Sequence, residues 1–149
     1  MYGSSICQVT PYPHILFDSR SWLPTVRVVT LDMRKHRIIV ALNSAWNIVN
    51  FRSSLIVALV EAGYTVVAVS PSDNHAKYLP MLGCRFVPLT MDTQGTHAGR
   101  DLLLLYRYWR ILRRERPSVF LGYTVKPNVY GSLAAHVLGV PVVNNIAGL

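Results

Sequence analysis

Cysteine is scarce: Cys7 and Cys84 are the only two in 149 residues. Two are too few for a disulfide scaffold or a metal knuckle, and both read as reduced thiols. Acid is scarce as well. Seven Asp and Glu stand against 15 Lys and Arg, a formal net charge of +8. Charged residues make up 15% and apolar residues 51%, which excludes a disordered, collagenous or coiled-coil chain. Long apolar runs are missing. Leu55–Val60 is among the longest, far below the roughly 18 residues of a spanning helix. The N-terminus has no basic stretch before an apolar core, and Pro11, Pro13 and Pro24 interrupt it, so it does not read as a signal peptide.

Several chemical signatures are missing too. There is no G-x-G-x-x-G and no G-x-x-x-x-G-K-[ST], so a pyrophosphate finds no close glycine turn. No G-x-S-x-G nucleophile elbow occurs. His14, His36, His75, His97 and His136 lack metal-ligand spacing, and Asp73, Asp92, Asp101 and Glu115 form no carboxylate dyad. Asp92 or His97 remains a candidate base in a cleft, although each reads more simply as a loop hydrogen-bonder.

What is present is one domain's worth of chain, long enough to bury a sizeable core. Its basic surplus calls for an anionic partner: phosphate, nucleic acid or a membrane surface. Composition divides the chain near Met33. Residues 1–32 carry two basic and two acidic residues and no sustained periodicity, so the whole +8 falls on 33–149. Residues 1–32 are expected to be an irregular extension, a leader or an over-long start, with Val26–Leu31 as an extra strand the alternative.

Beyond Met33, short apolar runs alternate with helical patterns. Strands are expected at Ile38–Leu42, Tyr64–Ser70, Cys84–Leu89, Val119–Gly122 and Val140–Asn144. Helices are expected at Phe51–Ala62, His75–Leu82, Arg100–Arg116 and Tyr130–Leu138. Gly63, Gly83, Pro117 and Gly139 close them. This alternation implies right-handed crossovers and a parallel sheet covered on both faces. The fold class is α/β: a Rossmann-like, doubly wound parallel sheet with strand order 3-2-1-4-5. Ligands of such sheets bind outside the strand C-termini. The loops of interest are therefore Asn43–Asn50, Pro71–Asn74, Thr90–Gly99, Tyr123–Asn128 and Asn144–Leu149. A chain that stops at the last of these, with no helix to follow its fifth strand, is expected to be a fragment.

Asn43, Asn47 and Asn50 lie just before the first expected helix, where amide N–H groups and the helix dipole attract anions. Arg52 adds a forked donor. The functional reading is a phosphate or sugar contact; helix capping is the alternative. Lys126 follows a strand C-terminus and Asn128 is close by. Asn144 and Asn145 offer further amides, with turn chemistry as their alternative role. On the long helix, Leu102, Leu105, Trp109 and Leu112 are expected to face the core. Arg107, Arg110 and Arg114 form a basic stripe with Tyr106, Tyr108 and Trp109 interleaved. Such helices often lie on anionic bilayers. A solvated arginine face is the alternative. No RNA- or DNA-binding motif accompanies the stripe, and nucleic acid is not an expected partner.

Two stretches carry a resemblance. Asn43, then Asn50-Phe51-Arg52-Ser53-Ser54-Leu55, with Ala62-Gly63-Tyr64-Thr65-Val66, is similar to the N-terminal domain of glycosyltransferase family 4. Tyr123-Thr124-Val125-Lys126-Pro127-Asn128-Val129-Tyr130-Gly131-Ser132, followed by Gly139–Leu149, resembles the bacterial subgroup acting on polyprenyl-diphosphate-linked acceptors in polysaccharide biosynthesis. The resemblance covers roughly residues 34–149. Ser118 departs from it where Asp is usual after Pro, and His97 where an amide is usual.

This resemblance implies half of a GT-B architecture, in which two Rossmann-like domains face a cleft. The N-terminal half mainly holds the acceptor. The C-terminal half, which holds the nucleotide-sugar donor and an E-x7-E element, is not within these residues. The implied chain is the acceptor-binding half of a retaining glycosyltransferase, inactive alone. It would need no cofactor, metal or protein nucleophile. Asn43, Asn47, Arg52, Lys126, Asn128 and Asn145 would line the cleft, with Arg52 and Lys126 on the acceptor phosphate. The partners implied are a nucleotide-sugar, a polyprenyl-diphosphate-linked saccharide and an anionic membrane surface met by Arg107, Arg110 and Arg114. The implied location is cytoplasmic, peripheral at the inner face of the cell membrane. The alternative is a truncated, non-catalytic membrane-surface-binding module.

Overall fold

The computed structural model of the chain describes residues 36–92 and 97–146. The expected extension over 1–32, the boundary at Met33 and the alternative strand Val26–Leu31 lie outside the described residues.

Among the described residues, five strands form one sheet: β1 (Arg37–Ala41), β2 (Thr65–Ser70), β3 (Arg85–Pro88), β4 (Val119–Tyr123) and β5 (Val142–Asn145). Every neighbouring pair is parallel and the order is β3-β2-β1-β4-β5. Helices α1 (Ala45–Phe51) and α2 (Ser53–Glu61) join β1 to β2, and a 3-10 helix (Ala76–Leu82) joins β2 to β3. Helix α3 (Ala98–Glu115) joins β3 to β4, and α4 (Ser132–Val137) joins β4 to β5. This is the expected doubly wound, Rossmann-like sheet.

The strands are apolar on both faces, as a covered parallel sheet requires. Ile39, Ala41, Val67, Val69 and Phe120 pack toward Leu104, Tyr108 and Leu112 of α3 and Ala134 and Ala135 of α4. Ile38, Val40, Val66 and Ala68 pack toward Ile48 of α1, Ile56 of α2 and Leu79 of the 3-10 helix. Complete burial of each such aliphatic side chain contributes about 1.5–3 kcal/mol.

Four expectations need correction. The loop Asn43–Asn50 is largely helical, because Ser44 caps α1 at its start: its Oγ accepts from the Asn47 N–H at 3.1 Å. The single helix Phe51–Ala62 is instead two, broken at Arg52, whose φ of −130° leaves the helical range. His75–Leu82 is a 3-10 helix with Pro80 inside, closed by Gly83 at φ 78°. A proline lacks the N–H that an α-helical ladder needs. Tyr130–Leu138 begins earlier, as a wide helical turn over Pro127–Gly131 that leads into α4.

The phase of α3 also differs. Its buried residues are Asp101, Leu104, Tyr108, Leu112 and Glu115, whereas Leu102 is 67% exposed. Leu105 and Trp109 are half-buried at the margin. The run Leu102–Leu105 encircles the helix, so its apolar pattern alone does not set the phase. The arginine stripe keeps to one flank, beside the β3 edge, where Arg85, Arg107, Arg110 and Arg114 line a shared groove.

Two acids on the buried face require cations. Glu115 meets Arg37 at 3.2 Å and also pairs with Arg85, tying the end of α3 to the first residues of β1 and β3. Ser118, which departs from the resembled pattern, lies 2.9 Å from His36 Nδ1. The Tyr108 hydroxyl has no such partner. It is buried, and burial pushes its pKa up. A Tyr108→Phe variant removes an unsatisfied group and is expected to gain about 1 kcal/mol, since such a group costs about 1–3 kcal/mol. The gain corresponds to a melting-temperature rise of about 2–4 °C. A fall in calorimetry would show that the hydroxyl is useful where it stands.

Candidate functional site at the strand C-termini

Parallel strands bring all five C-terminal ends to one side of the sheet. The winding reverses between β1 and β4, which lie side by side with Ala41 opposite Gly122. A ligand crevice belongs at that point.

On the β1 side, Asn43 accepts a hydrogen bond from the Asn47 side chain at 2.7 Å. The start of α1 is already filled. Ser44 takes one N–H, and Asp73, arriving from β2, accepts from the Trp46 N–H at 2.9 Å and the His75 N–H at 2.8 Å. Burial raises the pKa of Asp73, but the Trp46 and His75 amide donors and the His75 charge outweigh it and hold the carboxyl below its usual value. The expected anion-binding role for this helix start therefore gives way to capping by the chain's own carboxylate. Asn43 and Asn47 remain available through their other amide groups.

Arg52, at the break between α1 and α2, crosses to the β4 side. Its guanidinium carbon lies 4.5 Å from the centre of the Tyr123 ring, and Nη1 donates to the Phe51 carbonyl at 3.0 Å. Its Nε–H is buried without a partner.

The β4 side is built on a strained turn. Thr124 has φ 75°, a left-handed conformation that a β-branched residue rarely adopts. Its hydroxyl is buried and unpartnered. Strain of this kind collects at functional sites. Thr124 O accepts from the Asn128 N–H at 3.0 Å, which starts the wide turn. The Asn128 amide donates to the Asn145 carbonyl at 3.1 Å, and its Oδ1 is buried without a partner. Ser132 donates to Asn144 Oδ1 at 3.0 Å. Both asparagine oxygens lie over Gly122, where an added Cβ would fall 2.5 Å and 2.6 Å from them. Only a glycine permits that approach.

Lys126 turns toward α3. Its ammonium lies 3.0 Å from Asp101 Oδ1, and both side chains are largely buried. The Tyr130 hydroxyl hydrogen-bonds the same carboxylate. The bond from Lys126 is the largest influence on Asp101 and holds its carboxyl below the ordinary 3.8. A depressed folded pKa contributes stability that is complete above the unfolded value and is lost as pH falls through the folded one. The melting-temperature gap between wild type and Asp101→Asn is therefore expected to stay level from about pH 7 to 5 and to shrink below about pH 4. A gap that widens on acidification would contradict the pairing.

Of the six cleft residues expected from sequence, the structure joins Asn43 with Asn47 and Asn128 with the Asn145 backbone, packs Arg52 on Tyr123 and pairs Lys126 with Asp101. Sequence reasoning missed Asp73, Asp101, Tyr123, Thr124 and Ser132. Asp101 carried a signal: spaced with Leu104, Tyr108 and Leu112, it is an acid on an apolar face, and such an acid requires a buried cation. On the arginine flank of α3, Arg107 donates to the Thr90 carbonyl at 2.7 Å, while Arg110 and Arg114 are exposed. Asp92 pairs with Arg100 at 2.8 Å, and His97 makes no side-chain cap to α3.

The structure defines a doubly wound domain with cations and amides near its switch point. Its sequence places it more closely. Residues 37–149 match the family described as glycosyl transferase 4-like, and the chain belongs to that family. No curated protein matches the chain. Among solved structures, MurG of Acinetobacter baumannii is 19% identical, with a TM-score of 0.58 over 77% of this chain and 36% of that one. CalG4, the calicheamicin glycosyltransferase, is 16% identical, with a TM-score of 0.58 over 77% and 33%. A UDP-N-acetylglucosamine 2-epimerase is 17% identical, with a TM-score of 0.60 over 77% and 34%. The chain thus spans about a third of the length of these structures, and its fold is that of one Rossmann-like half of a GT-B glycosyltransferase.

Proposed function

We propose that this domain is the acceptor-holding half of a retaining glycosyltransferase of cell-surface polysaccharide synthesis. The enzyme would move a sugar from a nucleotide-sugar to a saccharide carried on a polyprenyl diphosphate at the cytoplasmic face of the membrane. One observation supports the reading: β1 and β4 lie side by side, Asn43 and Asn47 follow the first, Lys126 and Asn128 follow the second, and Arg52 packs on Tyr123 at the end of β4. The amides orient acceptor hydroxyls. One hydroxyl attacks the anomeric carbon as the bond to the nucleotide diphosphate breaks, and its proton passes to the departing diphosphate oxygen. Lys126 exchanges Asp101 for the acceptor diphosphate, a stronger anion, and Arg52 adds the charge of the guanidinium that packs on Tyr123.

The test is a titration of a polyprenyl-diphosphate-linked sugar against wild type and Lys126→Ala. A charge-assisted bond is worth about 1.5–3 kcal/mol, so affinity is expected to fall about tenfold or more. Equal affinity would remove Lys126 from the site.

The second reading, a non-catalytic membrane-surface module, draws on the arginine flank of α3. No helix among the described residues is long and apolar enough to cross a membrane. Each arginine near an anionic surface contributes about 1 kcal/mol. Changing Arg107, Arg110 and Arg114 to Glu abolishes sedimentation with anionic liposomes in this reading, and unchanged sedimentation at low salt dismisses it.

A further inference from the structure

Among the described residues, Lys126–Asp101 is the most enclosed ion pair. Only 15% and 9% of the two side chains stay exposed, against 69% and 35% for the Arg100–Asp92 pair on the same helix end. The pair joins two elements by charge. Asp101 stands in the first turn of α3, and Lys126 caps the wide turn Pro127–Gly131. Other cations in this region are engaged: Arg100 with Asp92, and Arg107 with the Thr90 carbonyl.

The two partners depend on each other unequally. Asp101 has support besides the lysine. The Tyr130 hydroxyl and the His97 backbone amide both hydrogen-bond its carboxylate. It also lies in the first turn of an 18-residue helix, whose N-terminal end favours negative charge. Lys126 has no second acid among the described residues. If the pair opens, Asp101 keeps its hydrogen bonds and stays in place, whereas the ammonium is left without a counter-charge. Its flexible four-carbon stem lets that ammonium swing while the turn stays where it is. A phosphate that takes the lysine must therefore break the pair and then sit beside a carboxylate that has not moved away.

We propose that Asp101 is an internal competitor for the anion site of Lys126: its carboxylate holds the lysine closed until an anion of higher charge displaces it. The proposal rests on the acceptor reading above and adds regulation of that site to it. The coupling is reciprocal. An anion bound at Lys126 loosens the charge tie between α3 and the wide turn, and loss of that tie opens the lysine to anions.

The experiment titrates inorganic diphosphate against the 149-residue chain and four variants, each at a temperature where melting curves show it folded. Asp101→Asn keeps the shape and the hydrogen bonds and removes the charge. It is expected to bind diphosphate about tenfold or more tightly than wild type, a coupling of ordinary size, and to show the larger rise in melting temperature when diphosphate is added. A variant that was merely less stable would not gain affinity. Asp101→Glu restores a carboxylate and should bind as wild type does. Lys126→Ala should bind weakly, and Asp101→Asn should bring no gain in the Lys126→Ala background. The proposal is overturned by an Asp101→Asn affinity at or below that of wild type, by an equal gain in Asp101→Glu, or by a gain that survives without Lys126. The acceptor reading fails separately. A polyprenyl-diphosphate-linked sugar that binds wild type and Lys126→Ala equally sinks it, while the lysine-dependent gain for inorganic diphosphate would still stand.

Discussion

Sugar transfer by a polypeptide of these 149 residues alone is expected to fall below detection. A cleft enzyme of two facing domains holds donor and acceptor on opposite walls. Its rate depends on keeping the two in attack geometry, and loss of one wall forfeits an effective molarity of about 10⁵ M or more. That alone is about 7 kcal/mol of barrier. The departing nucleotide diphosphate also needs donors aimed at its developing charge. The two cations near the β4 end are engaged elsewhere. Lys126 pairs with Asp101 and, in the proposed function, serves the acceptor; Arg52 packs on Tyr123. Radiolabelled nucleotide-sugar and a short polyprenyl-diphosphate-sugar, incubated with the purified chain, should give no product above a heat-killed control. Product formed in a preparation free of host transferases would show that one domain suffices. The assignment of this domain to the acceptor alone would then be wrong.

The sheet was legible because its signals are local. Val66, Val67, Ala68 and Val69 between Gly63 and Pro71 read as a buried strand wherever they stand, and short crossovers leave few strand orders open. Helix interiors were less legible for identifiable reasons. Ser44 looks like a loop residue until Asp73, 27 residues beyond Trp46, arrives to complete the cap. Four consecutive leucines blur the phase of α3, and the deciding facts are long-range: Tyr108 meets the Phe120 ring edge-on, and Glu115 meets Arg37. The cleft was legible in residue type and not in partnership. Lys126 stands out in sequence as a cation on a strand-end loop. Its pairing with Asp101 crosses 25 residues and follows from packing of α3 against the wide turn. Thr124 gave no signal at all, since threonine carries no preference for its left-handed conformation.

Gly131→Ala is expected to be strongly destabilising, although its backbone invites alanine. Gly131 has φ −66° and ψ −44°, ordinary helical values, where alanine is preferred by about 1 kcal/mol. The obstacle is Phe120. A Cβ at 131 would collide with Phe120 Cζ and fall 2.9 Å from Cε1 and 3.2 Å from Cε2. Phe120 has no room to retreat: it is fully buried, edge-on to Tyr108 with ring centres 6.0 Å apart. Overpacking of this kind costs about 3 kcal/mol. Set against the helical gain, a net loss of about 2 kcal/mol remains, a fall of about 4–8 °C in melting temperature. The candidate site feels it too, because Gly131 ends the turn that carries Asn128 and follows Lys126, so affinity for the proposed acceptor should drop as the turn shifts. A double-mutant cycle isolates the cause. In a Phe120→Leu background, where the ring is gone, Gly131→Ala should cost little, leaving a coupling of about 2 kcal/mol between the two positions. If alanine is equally harmful with and without the ring, the close approach of Gly131 to Phe120 is not what requires a glycine there.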